Sequence, residues 1–141
     1  MENIRPATQS RLKNNVTELK EVAGAASLAQ ILQGKKTDKG AYVFQTRESA
    51  SSGLSTQLVI QNVDVQVSVV TTIYCVSDSM GGDAADASHD LRELIKAELI
   101  GWEPSVNFEP MEFAGGDLIS FLDGFYVWRD NFTSRTIIQQ I

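Results

Sequence analysis

Asp83, Asp86, His89 and Asp90 are the residues whose types and spacing come nearest to chemistry in this chain. On a helix these positions share roughly one face, and an imidazole among carboxylates is a donor set for zinc or manganese. The competing reading is an acidic helix start, where carboxylates answer the positive end of the backbone dipole. That reading is the stronger one, because it needs no ligand. His89 is the only histidine, so any histidine-dependent triad or general base must use it. No serine or cysteine stands in a nucleophile-elbow context. Cys75, the single cysteine, lies in a β-branched run and reads as a small buried apolar residue with no internal disulfide partner. The run Gly34-Lys35-Lys36-Thr37-Asp38-Lys39-Gly40 superficially resembles the end of a phosphate-binding loop. Ala29 stands where that motif needs glycine and no strand precedes it, so a solvated turn is expected. No catalytic residue, cofactor or metal is therefore assigned, and a small metal-dependent enzyme using Asp83, Asp86 and His89 is kept only as an alternative.

The elements that would position these residues follow from hydrophobic spacing. Leu12, Val16 and Leu19 predict a helix over residues 9–22, with a small strand over residues 21–25 as an alternative for its end. Ser27 opens a short helix carrying Leu28, Ile31 and Leu32, and Gly34 ends it. A strand over residues 41–46 puts Tyr42 and Phe44 on one face and Val43 on the other. Residues 47–60, rich in serine, glycine and alanine, read as a flexible loop or arm. Residues 57–77 give the strongest strand pattern, with Val63, Val65, Val67, Val69, Ile73 and Cys75 on one parity. The parity flips before residue 61, which predicts a bulge near Gln61-Asn62. A strand of that length also outruns the body of a domain this size, so part of it is expected to project and pair with a neighbouring copy.

A long helix over residues 83–100 buries Ala84, Ala87, Leu91, Leu94, Ile95 and Leu99, and Gly101 stops it. Trp102, Phe108 and Phe113 then close one end of the core. Short strands over residues 111–114, 118–122, 125–129 and 132–141 follow, with tight turns at Gly115-Gly116 and Asp123-Gly124. The expected fold class is α+β: one domain over residues 1–141, built on a single mixed or antiparallel sheet with helices packed on one face.

At 141 residues the chain is large enough to bury a core without disulfide or metal support. A net charge of −6 argues against a general nucleic-acid binder, yet an acidic wall suits a passage along which DNA slides without sticking. The first residues hold no apolar signal core, and no stretch reaches the roughly 20 apolar residues a membrane span needs. The expected compartment is a reducing cytosol or a particle assembled there. Trp102 and Trp128 read as core or interface anchors. Arg129 and Arg135 read as solvated charges or as partners for acids on another subunit.

Gly101-Trp102-Glu103-Pro104, then Glu112-Phe113-Ala114-Gly115-Gly116, then Asp123-Gly124 leading to Val127-Trp128-Arg129-Asp130 and Phe132, form an ordered set of turns and core aromatics. With the helix Asp90-Leu91-Arg92-Glu93-Leu94-Ile95-Lys96-Ala97 and the N-terminal Ala25-Ala26-Ser27-Leu28-Ala29, this set resembles the tail terminator proteins of Mu-like and related tailed phages. The resemblance covers most of the chain and says least about residues 1–20 and 47–60. It implies a structural virion protein forming a homohexameric ring that caps the tail tube, ends its polymerisation and offers the head or neck a docking surface. The implied partners are other copies of the chain, the tail tube protein, head and neck connector proteins and the sheath protein, with DNA passing through the lumen unbound and no membrane involved. The implied location is the tail or neck of the virion, assembled in the host cytoplasm. Another head–tail connector or neck protein is the nearest alternative. For subunit contacts the sequence nominates Gln57, Val59 and Gln61 on the projecting segment, together with Arg129 and Arg135.

Overall fold

The alternating valines of residues 63–69 become the centre of the molecule. In the computed structural model, which describes residues 1–53, 58–76 and 80–140, five strands form one sheet: β1 (Glu21–Gly24), β2 (Gly40–Ala50), β3 (Val59–Tyr74), β4 (Glu112–Leu122) and β5 (Phe125–Gln140). Their spatial order is β1-β2-β3-β5-β4. β1 runs parallel to β2, and the other neighbours are antiparallel. Three helices, α1 (Arg5–Asn15), α2 (Leu28–Gln33) and α3 (Gly82–Leu99), complete the fold. A single mixed sheet in an α+β arrangement is thus what the pattern predicts.

α1 and α3 cover one face, packing Leu12, Leu91, Ile95 and Leu99 against Val63, Val65, Val67 and Val69. α2 lies on the other face, where Ile31 meets Tyr42, Phe44, Val70 and Val127. Helices on one face therefore describes only the two longer ones. The parallel pair β1–β2 needs a crossover outside the sheet plane, and α2 supplies it from the opposite side.

Local chemistry sets the helix ends. α1 starts earlier than expected, because Pro6 sits in the first turn, where its missing N–H goes unneeded. It also ends sooner, at Asn15, so the chain can enter β1, the strand expected as the alternative. The Ser27 hydroxyl accepts a hydrogen bond from the Gln30 N–H at 3.3 Å, and the Gly34 N–H closes α2 on the Gln30 carbonyl at 2.9 Å. In α3, Ala84, Leu91, Ile95 and Leu99 are buried, but Ala87 and Leu94 face outward.

The strands differ from expectation in three places. β2 continues through Arg47, Glu48, Ser49 and Ala50, paired in order with Gln66 to Val63, and Val59 and Ile60 belong to β3, so both ends of the arm expected at residues 47–60 are strand, while its residues 54–57 lie outside the described residues. Weak strand formers take this form because β3 offers them a ready ladder. The bulge lies at Gln45–Arg47 of β2 rather than at Gln61-Asn62, and β3 pairs with β5 without a slip from Val59 to Tyr74. Val59 and Ile60 are both exposed there, so neither side is an inside and parity loses its meaning. Finally, four short C-terminal strands are two long ones. Gly115, at φ 104°, belongs to a bulge within β4 rather than a turn, whereas Asp123 and Gly124, at φ 55° and 81°, make the expected tight turn. Phe108 is buried and Trp102 half-buried at the end of the core, but Phe113 stands 39% exposed on β4.

Candidate assembly surface

β5 presents one face to α3 and the other to solvent, and its side chains alternate accordingly. On the helix face Arg92 of α3 reaches Asp130, with its Nε donating to Oδ2 at 2.9 Å. The Trp128 indole N–H donates to Oδ1 of the same carboxylate at 3.0 Å, and the Arg92 guanidinium lies 4.0 Å above the Trp128 ring. Both charges are buried, so the pair is held by hydrogen bonds and stacking rather than by water. Gly116 of β4 is fitted beside it. A Cβ there would lie 2.8 Å from both the Arg129 carbonyl and the Trp128 indole nitrogen. This cluster fixes the register of α3 on the sheet. Sequence spacing does not reveal it, because Arg92 and Asp130 are brought together only by tertiary packing.

The opposite face is divided in two. α2 covers the half made of Tyr42, Phe44, Val70 and Val127. Among the described residues no helix covers the other half, and most of its side chains are polar. Arg135 donates to Asp64 at 2.9 and 3.5 Å, and Arg129 to Asp117 at 3.2 and 3.3 Å. Between them the Ser68 hydroxyl donates to the Asn131 side-chain oxygen at 2.5 Å, and Gln66 Nε2 donates to the Thr46 hydroxyl at 3.0 Å. Asp64, Glu109, Pro110, Glu112, Thr133 and Arg135 line a cleft of about 100 Å³ at the β5 side of this half. The hydrogen bond to Asp64 and its charge raise the Arg135 pKa, with Glu109 and Glu112 adding to the effect.

At one end of the sheet β3 and β5 stay paired as a terminal tongue, from Val59 with Gln140 to Asn62 with Ile137, with Ile138 packed against the core. Val59, Ile60 and Ile137 are exposed on it, and Val106 beside it is 95% exposed. Apolar groups in such a cluster mark a contact surface more often than isolated ones do.

The residues nominated from sequence fall on these features in different ways. Val59 is exposed on the tongue, and Gln61 is half-buried, its side-chain amide donating to the Ser51 carbonyl at 2.7 Å. Gln57 lies outside the described residues. Arg129 and Arg135 sit on the bare face, each already paired with an aspartate of its own chain. Glu109 and Glu112 were missed, since an isolated acid in a sequence carries no mark of the cleft it lines. Among the described residues no three histidine, cysteine, aspartate or glutamate side chains converge to hold a metal ion. Among them, too, no helix is long and apolar enough to cross a membrane.

No curated protein matches the chain at a significant level. A family model described as phage tail terminator protein matches residues 5–141, which takes in every helix and strand of the fold. That family is one of structural proteins of the phage tail, and the chain belongs to the phage tail terminator protein family.

Proposed function

We propose that this chain assembles into a closed ring of its own copies, a hexamer, that caps the tail tube, stops its growth and gives the head or neck its docking surface. The observation that supports this reading is the tongue at the end of β3 and β5, with Val59, Ile60 and Ile137 exposed on it. A sheet end of this kind is marginal alone and gains most by lying against another body. Head-to-tail contacts that close around an axis satisfy all side-to-side surfaces and leave two different axial faces, one for the tube and one for the neck. Six copies carry about −36 charges before local pairing, a field suited to a lumen through which DNA passes without binding. The sheath protein is a further neighbour at this position of the tail, and assembly takes place in the host cytoplasm.

The test is the mass of the purified particle by light scattering, together with electron microscopy of tube ends. A hexameric mass and decorated tube tips are expected. Ile60→Lys and Ile137→Lys replace exposed residues, so each variant should fold but fail to assemble. A wild-type chain that stays monomeric and ignores tube ends, or one that decorates heads but never tubes, defeats the reading.

A further inference from the structure

An open sheet ends in two edges. Among the described residues no strand lies beyond β4 on one side or beyond β1 on the other. An edge strand aims part of its backbone N–H and C=O groups outward, and an extended partner backbone satisfies them as a set. Lysine and proline are the usual protection of such an edge, and β4 contains neither. Its bulges, between Phe113 and Gly116 and between Leu118 and Ser120, leave only short regular stretches for pairing. On the helix side of β4, Phe113, Leu118 and Phe121 are exposed, because α3 packs on β3 and β5 and leaves this strand largely bare.

The opposite edge has a step in it. β1 pairs with Gly40–Val43 of β2 only, and the six residues from Gln45 to Ala50 beyond it are all exposed. The pairing register places residues of the two edges on common rows. Val22 of β1 is level with Leu118 of β4 through Ala41, Thr71 and Trp128, and Glu21 is level with Ser120 through Gly40, Thr72 and Val127. Beyond β1, Arg47 is level with Glu112 through Gln66 and Thr133, and both stand on the bare face. Neither Arg47 nor Glu112 forms an ion pair among the described residues. The alternation of strand directions also makes β1 and β4 antiparallel to each other.

We propose that β4 of one copy pairs antiparallel with β1 of a second copy, Val22 beside Leu118, so that the sheet continues across the subunit boundary. The proposal rests on the ring reading above and names the two edges that make its subunit contact. Apolar then meets apolar on the helix side. Past the end of β1 the facing strands stand two strand spacings apart, about 10 Å. Arg47 and Glu112 span that gap together, cation to carboxylate. Pairing β4 with β4 is the other way to cover the edge, but it gathers Glu112 and Asp117 of both copies at one seam and closes a dimer. β4 and β1 are different surfaces, so their contact is heterologous and propagates until the ring closes. Main-chain hydrogen bonds supply the adhesion, and the charge pair fixes the register.

Cysteine pairing on the full chain tests this, since directly opposed residues of antiparallel strands lie within disulfide distance. The variant carrying Glu21→Cys and Ser120→Cys together should, on oxidation, give a ladder of covalent oligomers that ends at the ring mass. Each cysteine alone, with Cys75 as its background, should give none. A second variant, Leu118→Lys, changes an exposed residue, so thermal melts should show it folded. It sets a charge where Val22 must lie and should associate at least about 10-fold more weakly than wild type. The proposal is overturned if the double-cysteine chain assembles without a ladder, since the ring then uses other surfaces. Covalent dimers from Ser120→Cys alone overturn it in favour of β4 against β4. Leu118→Lys rings of wild-type strength overturn it as well, and if those rings no longer bind tube ends the edge belongs to the tube protein. A monomeric wild-type chain would instead overturn the ring reading, and this contact with it.

Discussion

β5 carries arginine–aspartate chemistry on both of its faces, and the two faces teach opposite lessons. On the helix side the Arg92 and Asp130 side chains are only 10% and 2% exposed; on the bare side those of Arg135 and Asp64 are 48% and 45% exposed. Burial makes the first pair obligatory. Removing either partner strands a charge where water cannot reach it. Exposure makes the second pair exchangeable, since solvent and salt already screen it and a new partner replaces the old at little cost. The inner pair belongs to the fold, and the outer pairs belong to the solvated surface.

Arg92→Ala should break this contrast most severely. It leaves Asp130 buried with only the Trp128 indole, and the expected loss is about 3–5 kcal/mol in urea denaturation. A loss below 1 kcal/mol would show that the inner pair is no more essential than the outer ones. Gly116→Ala tests the same cluster sterically. Its Cβ would press on the Arg129 carbonyl and the Trp128 indole, and about 1–3 kcal/mol of stability should disappear. Ser27→Ala removes the cap of α2 and with it about 1 kcal/mol, which thermal melts would register. Unchanged stability there would mean that α2 is held by Ile31 packing alone.

For the outer face, Arg135→Ala and Asp64→Asn should each change stability by less than about 1 kcal/mol while altering the salt dependence of self-association. Stability losses as large as that of Arg92→Ala would erase the distinction between the faces. The smallest effect is one of pH. Burial is the main cause that raises the Tyr42 phenol pKa, which also accepts the Thr37 N–H at 3.1 Å. A raised acid pKa means the folded state holds its proton longer than the unfolded one. Stability is then complete below about pH 10 and falls as pH rises further. Tyr42→Phe should flatten that alkaline slope in melting experiments between neutral and high pH, whereas an unchanged slope would assign it to other groups.

Much of the fold was legible along the chain because its signals are local. Ser27 and Gly34 bracket α2, the odd-numbered valines mark the buried side of β3, and Asp123-Gly124 turns β4 into β5. Where the reading failed, a distant partner had overruled local preference. Arg47 to Ala50 look like loop and are strand because β3 lies beside them, and Gly115-Gly116 looks like a turn and is a bulge because β5 continues past it. The surroundings of the nominated residues were less legible. Val59 is exposed, but the aspartates that hold Arg129 and Arg135 could not be chosen from the many acids available.

By itself, then, the sequence determined α2, the long helix α3, the buried face of the central strand and the family, all of which depend on residue order and short-range periodicity. Only the tertiary structure decided that α2 crosses to the second face, that half of that face stays bare, and that Arg92 is buried on Asp130 while Arg135 is left at the surface. Those outcomes depend on which residues far apart in the chain become neighbours. Burial then turns one charge pair into a constraint on the fold, and exposure leaves another of the same chemistry free to meet a second molecule.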